Sequence, residues 1–164
     1  PIQKVLFISS TSVYPRKNSI VEEEDVDAEK PLAKIEELFR KNTHFKTTVI
    51  RFGGLFGGDR KPGNWFQDGR KIPHPEGFVN MIHREDCVAI IEQIIEKKIW
   101  NETFSACSND HPKRRDFYNN AKAVLGFEPP EFEENLPLLY KIVSSKKLIQ
   151  KLNYSFIYES LLDV

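Results

Sequence analysis

The first third of the chain alternates apolar runs with one amphipathic segment. Residues 5–8 form a continuous apolar run that stops at a polar cluster, residues 9–12, which predicts a parallel strand buried on both faces. Apolar residues spaced three and four apart predict an amphipathic helix over about 29–42. Residues 46–52 are β-branched and apolar and end at two glycines, which predicts a second strand. Strand, helix and strand in this order predict a parallel sheet, which binds ligands at the carboxyl ends of its strands.

The rest of the chain begins with a loop-rich segment. Seven of the eight glycines and three prolines lie between residues 53 and 77, which predicts the rim or lid of a site with one short helix near residues 65–66. Beyond it, apolar patterning predicts strands at 78–82 and 103–106, helices at 84–97 and 112–125, and a terminal helix that includes Leu161 and Leu162.

Composition and charge narrow the class of protein. The 164 residues are 40% hydrophobic and 29% charged, which is typical of a soluble globular domain and not of a disordered, collagen-like or membrane chain. The 24 Lys and Arg balance the 24 Asp and Glu, so no field of the whole molecule favours nucleic acid or an anionic membrane. We therefore expect neither as a partner.

The spacing of cysteines and histidines points away from a metal centre. Cys87 and Cys107 form no Cys-x-x-Cys pair, and the four histidines have no His-x-x-x-His or His–carboxylate spacing, so no metal is predicted. His83 and Asp86 fit structural roles at the start of a helix. No apolar run approaches the ~20 residues that span a bilayer. With so few cysteines, we expect a cytoplasmic protein.

Four segments carry a recognisable series of short motifs. They are KVLFISSTSVY at residues 4–14, VIRFGGLFGGDR at 49–60, NMIHREDCVAII at 80–91 and IVSSKKLIQKLNY at 142–154. In this order they resemble the NAD-dependent epimerase/dehydratase family, the extended short-chain dehydrogenases/reductases, over nearly the whole chain. The resemblance implies an α/β fold, with late strands of a partial Rossmann-type parallel sheet in residues 1–60. It implies a smaller C-terminal α+β lobe for substrate in residues 61–164, partly interleaved with the sheet.

One motif of that family is absent from the sequence. In the family, a Gly-x-x-Gly-x-x-Gly turn after the first strand holds the pyrophosphate of the cofactor, and this chain contains no such turn. A chain of 164 residues is also short for a Rossmann enzyme with a separate substrate domain. The resemblance therefore implies a fragment, the C-terminal half or more of a longer protein that binds NAD or NADP.

The resemblance also implies site residues at two strand ends. Ser10 maps to the Ser or Thr that hydrogen-bonds the reacting sugar oxygen, and we predict it as the catalytic residue. The predicted cofactor contacts are Ser9, Phe52 and Gly53, and the predicted substrate contacts are Ser12, Gly54 and Arg84. Gly53 would allow close backbone approach to the nicotinamide, and the guanidinium of Arg84 suits a phosphate. Without the resemblance, hydroxyls at this position are also explained as caps of a strand end.

The acid/base pair of the family, Tyr-x-x-x-Lys, has no counterpart in this chain. Tyrosine occurs only at positions 14, 118, 140, 154 and 158. One alignment of the helix near residue 30 puts Ala28 and Leu32 at the two motif positions, and a shift by two puts Lys30 and Lys34 there. Neither alignment supplies a phenol. We interpret the two lysines as a solvated helix face paired with Glu37 and its neighbours.

Two functions remain open at this stage. The first is an enzyme that resembles the NAD(P)-dependent sugar-nucleotide epimerases, dehydratases and reductases, with a small-molecule substrate, a nucleotide sugar among the candidates, and an unidentified proton donor. Val79 weakens the nucleotide-sugar assignment, because it stands where such enzymes often keep an Arg. The alternative is a catalytically inactive NAD(P)-binding regulatory or interaction protein of the same fold. We expect a homodimer, because a truncated sheet leaves an edge strand free to pair with another copy.

Overall fold

The computed structural model describes residues 1–163 as a mixed α/β fold in which all strand pairs are parallel. The strands are β1 (Lys4–Ser10), β2 (Ile20–Val21), β3 (Lys46–Phe52), β4 (Gly54–Phe56), β5 (Ile72–Pro73), β6 (Met81–His83), β7 (Thr103–Ala106), β8 (Phe132–Glu133) and β9 (Ile142–Val143). The α-helices are α1 (Pro31–Arg40), α2 (Arg84–Glu96), α3 (Arg114–Val124) and α4 (Lys146–Leu152). The predicted α/β fold with a parallel sheet is confirmed.

A three-stranded parallel sheet in the order β1-β3-β7 forms the centre of the fold. Its register pairs Ser10 with Phe52 and Phe52 with Ala106, so the carboxyl ends of the three strands lie side by side. Helix α1 connects β1 to β3, as the strand–helix–strand pattern predicts. Three two-stranded pairs, β2-β9, β4-β6 and β5-β8, complete the strand structure of the described residues.

β1 lies at the edge of the sheet, so the prediction of a strand buried on both faces is wrong. Ile8 is 50% exposed, and residues 5–7 are only half-buried. The reason is that, among residues 1–163, β1 has a hydrogen-bonded neighbour only on its β3 side. β3 has neighbours on both sides and is buried from Thr47 to Phe52. The apolar run in β1 therefore indicated a strand but not its place in the sheet.

Two main clusters of apolar side chains form the core. The first joins the sheet to α2 and α4 and includes Ile50, Phe52, Ile82, Ile90, Ile94, Phe104, Leu148 and Leu152. The second joins β4, β5 and β6 to α3 and includes Phe56, Ile72, Met81, Phe117, Tyr118 and Leu161. β7 belongs to the central sheet although it follows residue 60. The division at residue 60 thus stays a prediction, and β7 accounts for the interleaving that accompanies it.

The chain after α4 contains no helix within the described residues, so the predicted terminal helix at Leu161 and Leu162 is wrong. The backbone N–H of Ile157 donates to Asp86 at 2.7 Å, and that of Leu161 donates to Asp110 at 2.7 Å. These N–H groups bind carboxylates instead of the carbonyls of a preceding helical turn. The predicted strand at 78–82 is also shifted, because β6 begins at Met81.

Candidate functional site

The polar turn after β1 and the glycines after β3 lie at the same end of the sheet. Ser10 precedes a 3-10 turn, Thr11–Val13, and its side-chain oxygen accepts the backbone N–H of Ser12 at 3.1 Å. The Ser10 side chain is half-buried and Ser12 is exposed. Because Ser10 pairs with Phe52, the structure brings together the two strand ends that carry most of the predicted site residues.

A cavity of about 200 Å³ opens beside this turn. Its walls include Thr11 and Arg16 from the turn region, Asn80 and Met81 at the start of β6, Arg114 and Tyr118 of α3, and Tyr140 and Lys141 before β9. Helix α3 and the segment before β9 come from the C-terminal part of the chain, so the cavity lies between the strand ends and the predicted substrate lobe.

Two lysine ammonium groups converge on the backbone of the turn. Lys141 Nζ donates to the carbonyl oxygens of Thr11 at 2.5 Å and Tyr14 at 3.0 Å. Lys30 Nζ donates to the carbonyl oxygen of Ser12 at 2.5 Å and shares that of Tyr14 at 3.0 Å. The interpretation of Lys30 as a solvated residue is therefore wrong, because its side chain folds back onto the turn. Lys34 is exposed as predicted, but it pairs with Glu29, and Glu37 pairs with Arg40 and Lys41 instead.

The cavity is surrounded by positive charge. Within residues 1–163, Arg16, Lys30, Arg114 and Lys141 take no part in the ion pairs of the structure. Burial, together with the charges of Lys30 and Arg16, lowers the pKa of Lys141 to about 8. Burial and the charge of Arg16 also lower the pKa of Arg114, whose Nε donates to the carbonyl oxygen of Pro73 at 2.9 Å. Unpaired cations around a cavity favour an anionic ligand.

The glycine pair serves the packing of β3 against the residues that lead into β6. A Cβ atom on Gly53 would lie 2.6 Å from the Asn80 carbonyl oxygen and 2.7 Å from Cys107 Sγ, and one on Gly54 would lie 2.5 Å from Met81 Sδ. The close approach predicted at Gly53 therefore exists, but its partner in the structure is protein backbone. Phe52 points into the first core cluster and is 4% exposed. Contacts of Phe52, Gly53 and Gly54 with a ligand remain predictions.

Ser9 belongs to a buried polar network that the sequence analysis missed. Its hydroxyl donates to Glu36 at 2.5 Å, and Glu36 pairs with Arg51 at 2.6 Å. Arg51 also donates to the Tyr14 hydroxyl at 2.9 Å, which lies 2.5 Å from the hydroxyl of Ser105. An Arg within the apolar strand β3 was the available signal. The Ser9 hydroxyl is thus engaged inside the fold, and its contact with a cofactor stays a prediction.

Arg84 does not reach the cavity. It lies at the start of α2 against Gly58, where a Cβ atom would be 2.3 Å from the Arg84 guanidinium. Arg60, in the glycine-rich segment between residues 53 and 77, donates to the carbonyl oxygen of Leu55 at 3.0 Å. The guanidinium groups that line the cavity are those of Arg16 and Arg114, which the motif comparison did not single out.

His83 and Asp86 have the structural contacts that suit the start of α2. His83 Nδ1 accepts the backbone N–H of Glu85 at 3.3 Å and caps the helix. Asp86 accepts the Tyr154 hydroxyl at 2.7 Å and the backbone N–H groups of Ile157 and Tyr158. Across the part of the chain that the structure describes, no group of three or more His, Cys, Asp or Glu side chains could hold a metal ion. In that same part, no helix has both the length and the apolar character to cross a bilayer.

The fold defines a mixed α/β protein of Rossmann-like architecture, with a cavity where such sheets bind ligands. No family model matches the chain. Protein YeeZ of Escherichia coli (strain K12) is 28% identical over 163 residues, which are 96% of this chain and 59% of YeeZ. The chain thus spans about three fifths of the length of this curated relative.

Solved structures share the fold at low sequence identity. A functionally unknown conserved protein from Silicibacter pomeroyi DSS superposes with a TM-score of 0.82 at 17% identity, over 98% of this chain and 64% of that one. UDP-glucuronic acid 4-epimerase from Bacillus cereus, in complex with NAD, superposes with a TM-score of 0.75 at 18% identity, over 98% of this chain and 58% of that one. The structural neighbours thus include NAD-bound sugar-nucleotide enzymes, and these likenesses establish the fold.

Proposed function

We propose that this chain supplies the substrate side of an NAD(P)-dependent epimerase, dehydratase or reductase that acts on a small hydroxylated substrate. One observation carries the proposal: the register of β1 and β3 puts the Ser10 turn and the glycine pair at one carboxyl edge, next to a polar cavity. Ligands of open α/β sheets bind at this edge. The UDP-glucuronic acid 4-epimerase of the same fold, solved in complex with NAD, supports the proposal of an NAD(P)-dependent enzyme.

The charge around the cavity supports a substrate that carries an anionic group, such as a nucleotide sugar. Arg16, Arg114 and Lys141 line the cavity and form no ion pairs among residues 1–163. A guanidinium binds a phosphate through two parallel hydrogen bonds. We assign this role to Arg16 and Arg114 in preference to Arg84, which lies against Gly58. These two arginines also offset the loss of the usual Arg at Val79.

For the strand ends we propose a contact with the nicotinamide end of the cofactor and none with its diphosphate end. Ser10 and Ser12 offer hydroxyls at the edge, with Ser10 proposed to polarise the reacting oxygen, and Ser9, Phe52 and Gly53 remain the proposed neighbours of the nicotinamide. The sequence has no glycine-rich turn for a diphosphate. We propose that further residues of a longer protein supply that turn. When bound, the cofactor would accept or donate a hydride.

The second candidate is an NAD(P)-binding regulatory or interaction protein of the same fold without catalysis. The observation that favours it is the sequence of residues 28–36, which contains no Tyr to act as the acid of the family. Both candidates predict binding of NAD or NADP, and they differ in turnover.

Turnover assays on the longest natural protein that contains this chain separate the two candidates. The protein is incubated with NAD(H) or NADP(H) and a panel of nucleotide sugars, and S10A is compared with S155A, an exposed serine in the C-terminal segment. Turnover that falls in S10A but not in S155A supports the enzyme. Cofactor binding without turnover supports the regulatory protein, and absence of both contradicts both candidates.

A further inference from the structure

Lys141 is held at the cavity by contacts to both its backbone and its side chain. The Asn80 side chain donates to the Lys141 carbonyl oxygen at 2.9 Å and accepts the N–H of Val143 at 2.7 Å. This amide fixes the backbone on either side of Ile142. The Lys141 ammonium group then reaches the carbonyl oxygens of Thr11 and Tyr14, one residue and four residues beyond Ser10 in the sequence. The Lys141 amine therefore contacts the turn that begins directly after Ser10.

The hydrogen bonds of Lys141 are compatible with both protonation states of its amine. An ammonium group has three N–H donors, and the structure uses two of them, on Thr11 and Tyr14. A neutral amine keeps two N–H donors and gains a lone pair. Lys141 can therefore release one proton without losing either bond to the turn. The third position on Nζ is left for a group in the cavity that Lys141 lines.

The surroundings of Lys141 favour loss of that proton near neutral pH. Burial is the main cause of its pKa of about 8, and the charges of Lys30 and Arg16 act in the same direction, whereas Cys107 acts against them. The other titratable groups around the cavity are Arg114, His74, Tyr118 and Tyr140, and the Tyr14 ring lies 5.9 Å from Nζ. No carboxylate of the described residues lines this cavity. A group with a pKa near the working pH is the best general acid or base.

We propose that Lys141 is the acid/base residue of this site and takes the role for which the chain has no Tyr-x-x-x-Lys tyrosine. The proposal rests on the proposed function. In the oxidative direction, the neutral Lys141 amine takes the proton of the substrate hydroxyl, so the O–H bond breaks and an N–H bond forms. When bound, the nicotinamide would accept the hydrogen on the same carbon as a hydride, and the carbon–oxygen bond would become a carbonyl. In the reverse direction, the ammonium group returns the proton to the oxygen.

Lys30 acts in this proposal as a positioning residue. It shares the Tyr14 carbonyl oxygen with Lys141, so two ammonium groups lie about one acceptor. Their repulsion favours the neutral form of the more buried amine. We therefore expect K30M to raise the pKa of Lys141 without removing its contacts to the cavity.

The first test measures the protonation of Lys141 and needs no cofactor. The chain is labelled at lysine Cε and Nζ, and its lysine signals are followed by NMR from pH 6 to pH 11, with Lys141 assigned by its loss in K141R. We expect one lysine, Lys141, to titrate near pH 8. In K30M we expect the pKa of the same signal to be higher. Titration of every lysine near the ordinary value of about 10.4 would overturn the proposal.

The second test uses the longest natural protein that contains this chain, with the nucleotide sugar that gives turnover. We expect kcat to fall about 100-fold or more in K141M, which is typical for loss of a general acid or base. K141R keeps a charge and N–H donors, and we expect it to lose the pH dependence near pH 8 while KM changes little. K151M, which removes an exposed lysine paired with Glu102, is the control.

The outcomes separate the two proposals. Activity of K141M within threefold of the wild type, with the pH profile unchanged, overturns the role of Lys141 and leaves the proposed function standing. No turnover by the wild-type protein overturns the proposed function and the catalytic role together. Circular dichroism of K141M and K141R checks that the fold is intact.

Discussion

Outside the cavity, the buried side chain of Arg51 connects the elements that position the candidate site. Its guanidinium is 1% exposed and binds Glu36 of α1, the Tyr14 hydroxyl and the carbonyl oxygen of Glu23. It therefore ties α1 and the end of the Ser10–Tyr14 turn to the middle strand of the sheet. The backbone carbonyls that hold Lys30 and Lys141 belong to the same turn. The geometry of the candidate site thus depends on a buried ion pair beneath it.

Loss of the Glu36 carboxylate is expected to destabilise the fold strongly. In E36A, Arg51 stays buried without its partner, and breaking a buried pair in this way costs about 3–5 kcal/mol. Urea unfolding followed by circular dichroism measures the change. E37A is the matched control, because Glu37 lies on the same helix in exposed pairs with Arg40 and Lys41, which are worth about 1 kcal/mol or less. Similar small losses in both variants would contradict the role assigned to the buried pair.

The lowered pKa of Lys141 predicts how the free energy of unfolding changes with pH. Its pKa is about 8 in the folded chain and about 10.4 for an unfolded lysine. Between these values the unfolded state binds more protons, so the free energy of unfolding rises with pH. The contribution is complete above the unfolded pKa and is lost as the pH falls through 8. Urea unfolding at several pH values should show wild type gaining stability over K141M from pH 8 to pH 10, and parallel curves would contradict this.

At the scale of elements, the end of β3 and the residues before β6 set the floor of the site. Gly54 N donates to the Asn80 carbonyl oxygen at 2.8 Å, and Asn80 in turn holds the backbone around β9 through its side chain. Three segments far apart in sequence are therefore fixed by one residue. This arrangement requires the chain at Gly53 to approach Asn80 more closely than a side chain allows.

Gly53 and Gly54, which pack against Asn80 and Met81, should differ in their tolerance of alanine. In G53A the new Cβ meets a backbone carbonyl and a buried thiol, and overpacking of this kind costs about 1–3 kcal/mol. In G54A the new Cβ meets the flexible end of Met81, which can move away. Thermal unfolding should therefore show a larger loss of Tm for G53A than for G54A. If G54A loses as much Tm as G53A, the close contact of the Gly53 backbone with the Asn80 carbonyl is not what makes G53A costly.

At the scale of the whole molecule, the outer edge of β1 is the surface that the described chain leaves uncovered. β1 has one strand neighbour among residues 1–163, and Ile8 is 50% exposed and Ile2 70% exposed beside that edge. Open edges with apolar side chains pair readily with further strands. The homodimer expected from the sequence would use this edge.

Sedimentation of the isolated chain tests this expectation. We predict a dimer whose population grows with protein concentration, and we predict that I8K shifts it to monomer, because a charge on an edge strand opposes pairing. I157K is the control, since Ile157 is 58% exposed in the segment after α4. A monomer at all concentrations, or equal shifts in both variants, would contradict pairing through β1.

Local patterning predicted much of this fold, and the site only in part. β3 and β7 have the predicted bounds, because β-branched and apolar runs that end at glycine or polar residues depend on neighbours in the sequence. For the same reason, the polar residues 9–12 were correctly predicted to lie at the end of a strand, which is the end of β1 and the turn after it. Lys30 was misread because its partner carbonyls lie on a turn that only folding brings near. Arg16 and Arg114 were missed because no local pattern distinguishes them from surface arginines.

The sequence by itself determined the order β1, α1, β3, the later elements α2, β7 and α3, and the polar character of the strand ends, since hydrophobic periodicity and turn residues act over a few positions. The tertiary structure alone decided which side chains surround the cavity. The bond from Lys141 to Thr11 spans 130 residues, and the lowered pKa of that lysine comes from burial and from charges carried by other segments. Such contacts depend on how distant elements pack, which no local pattern of residues encodes.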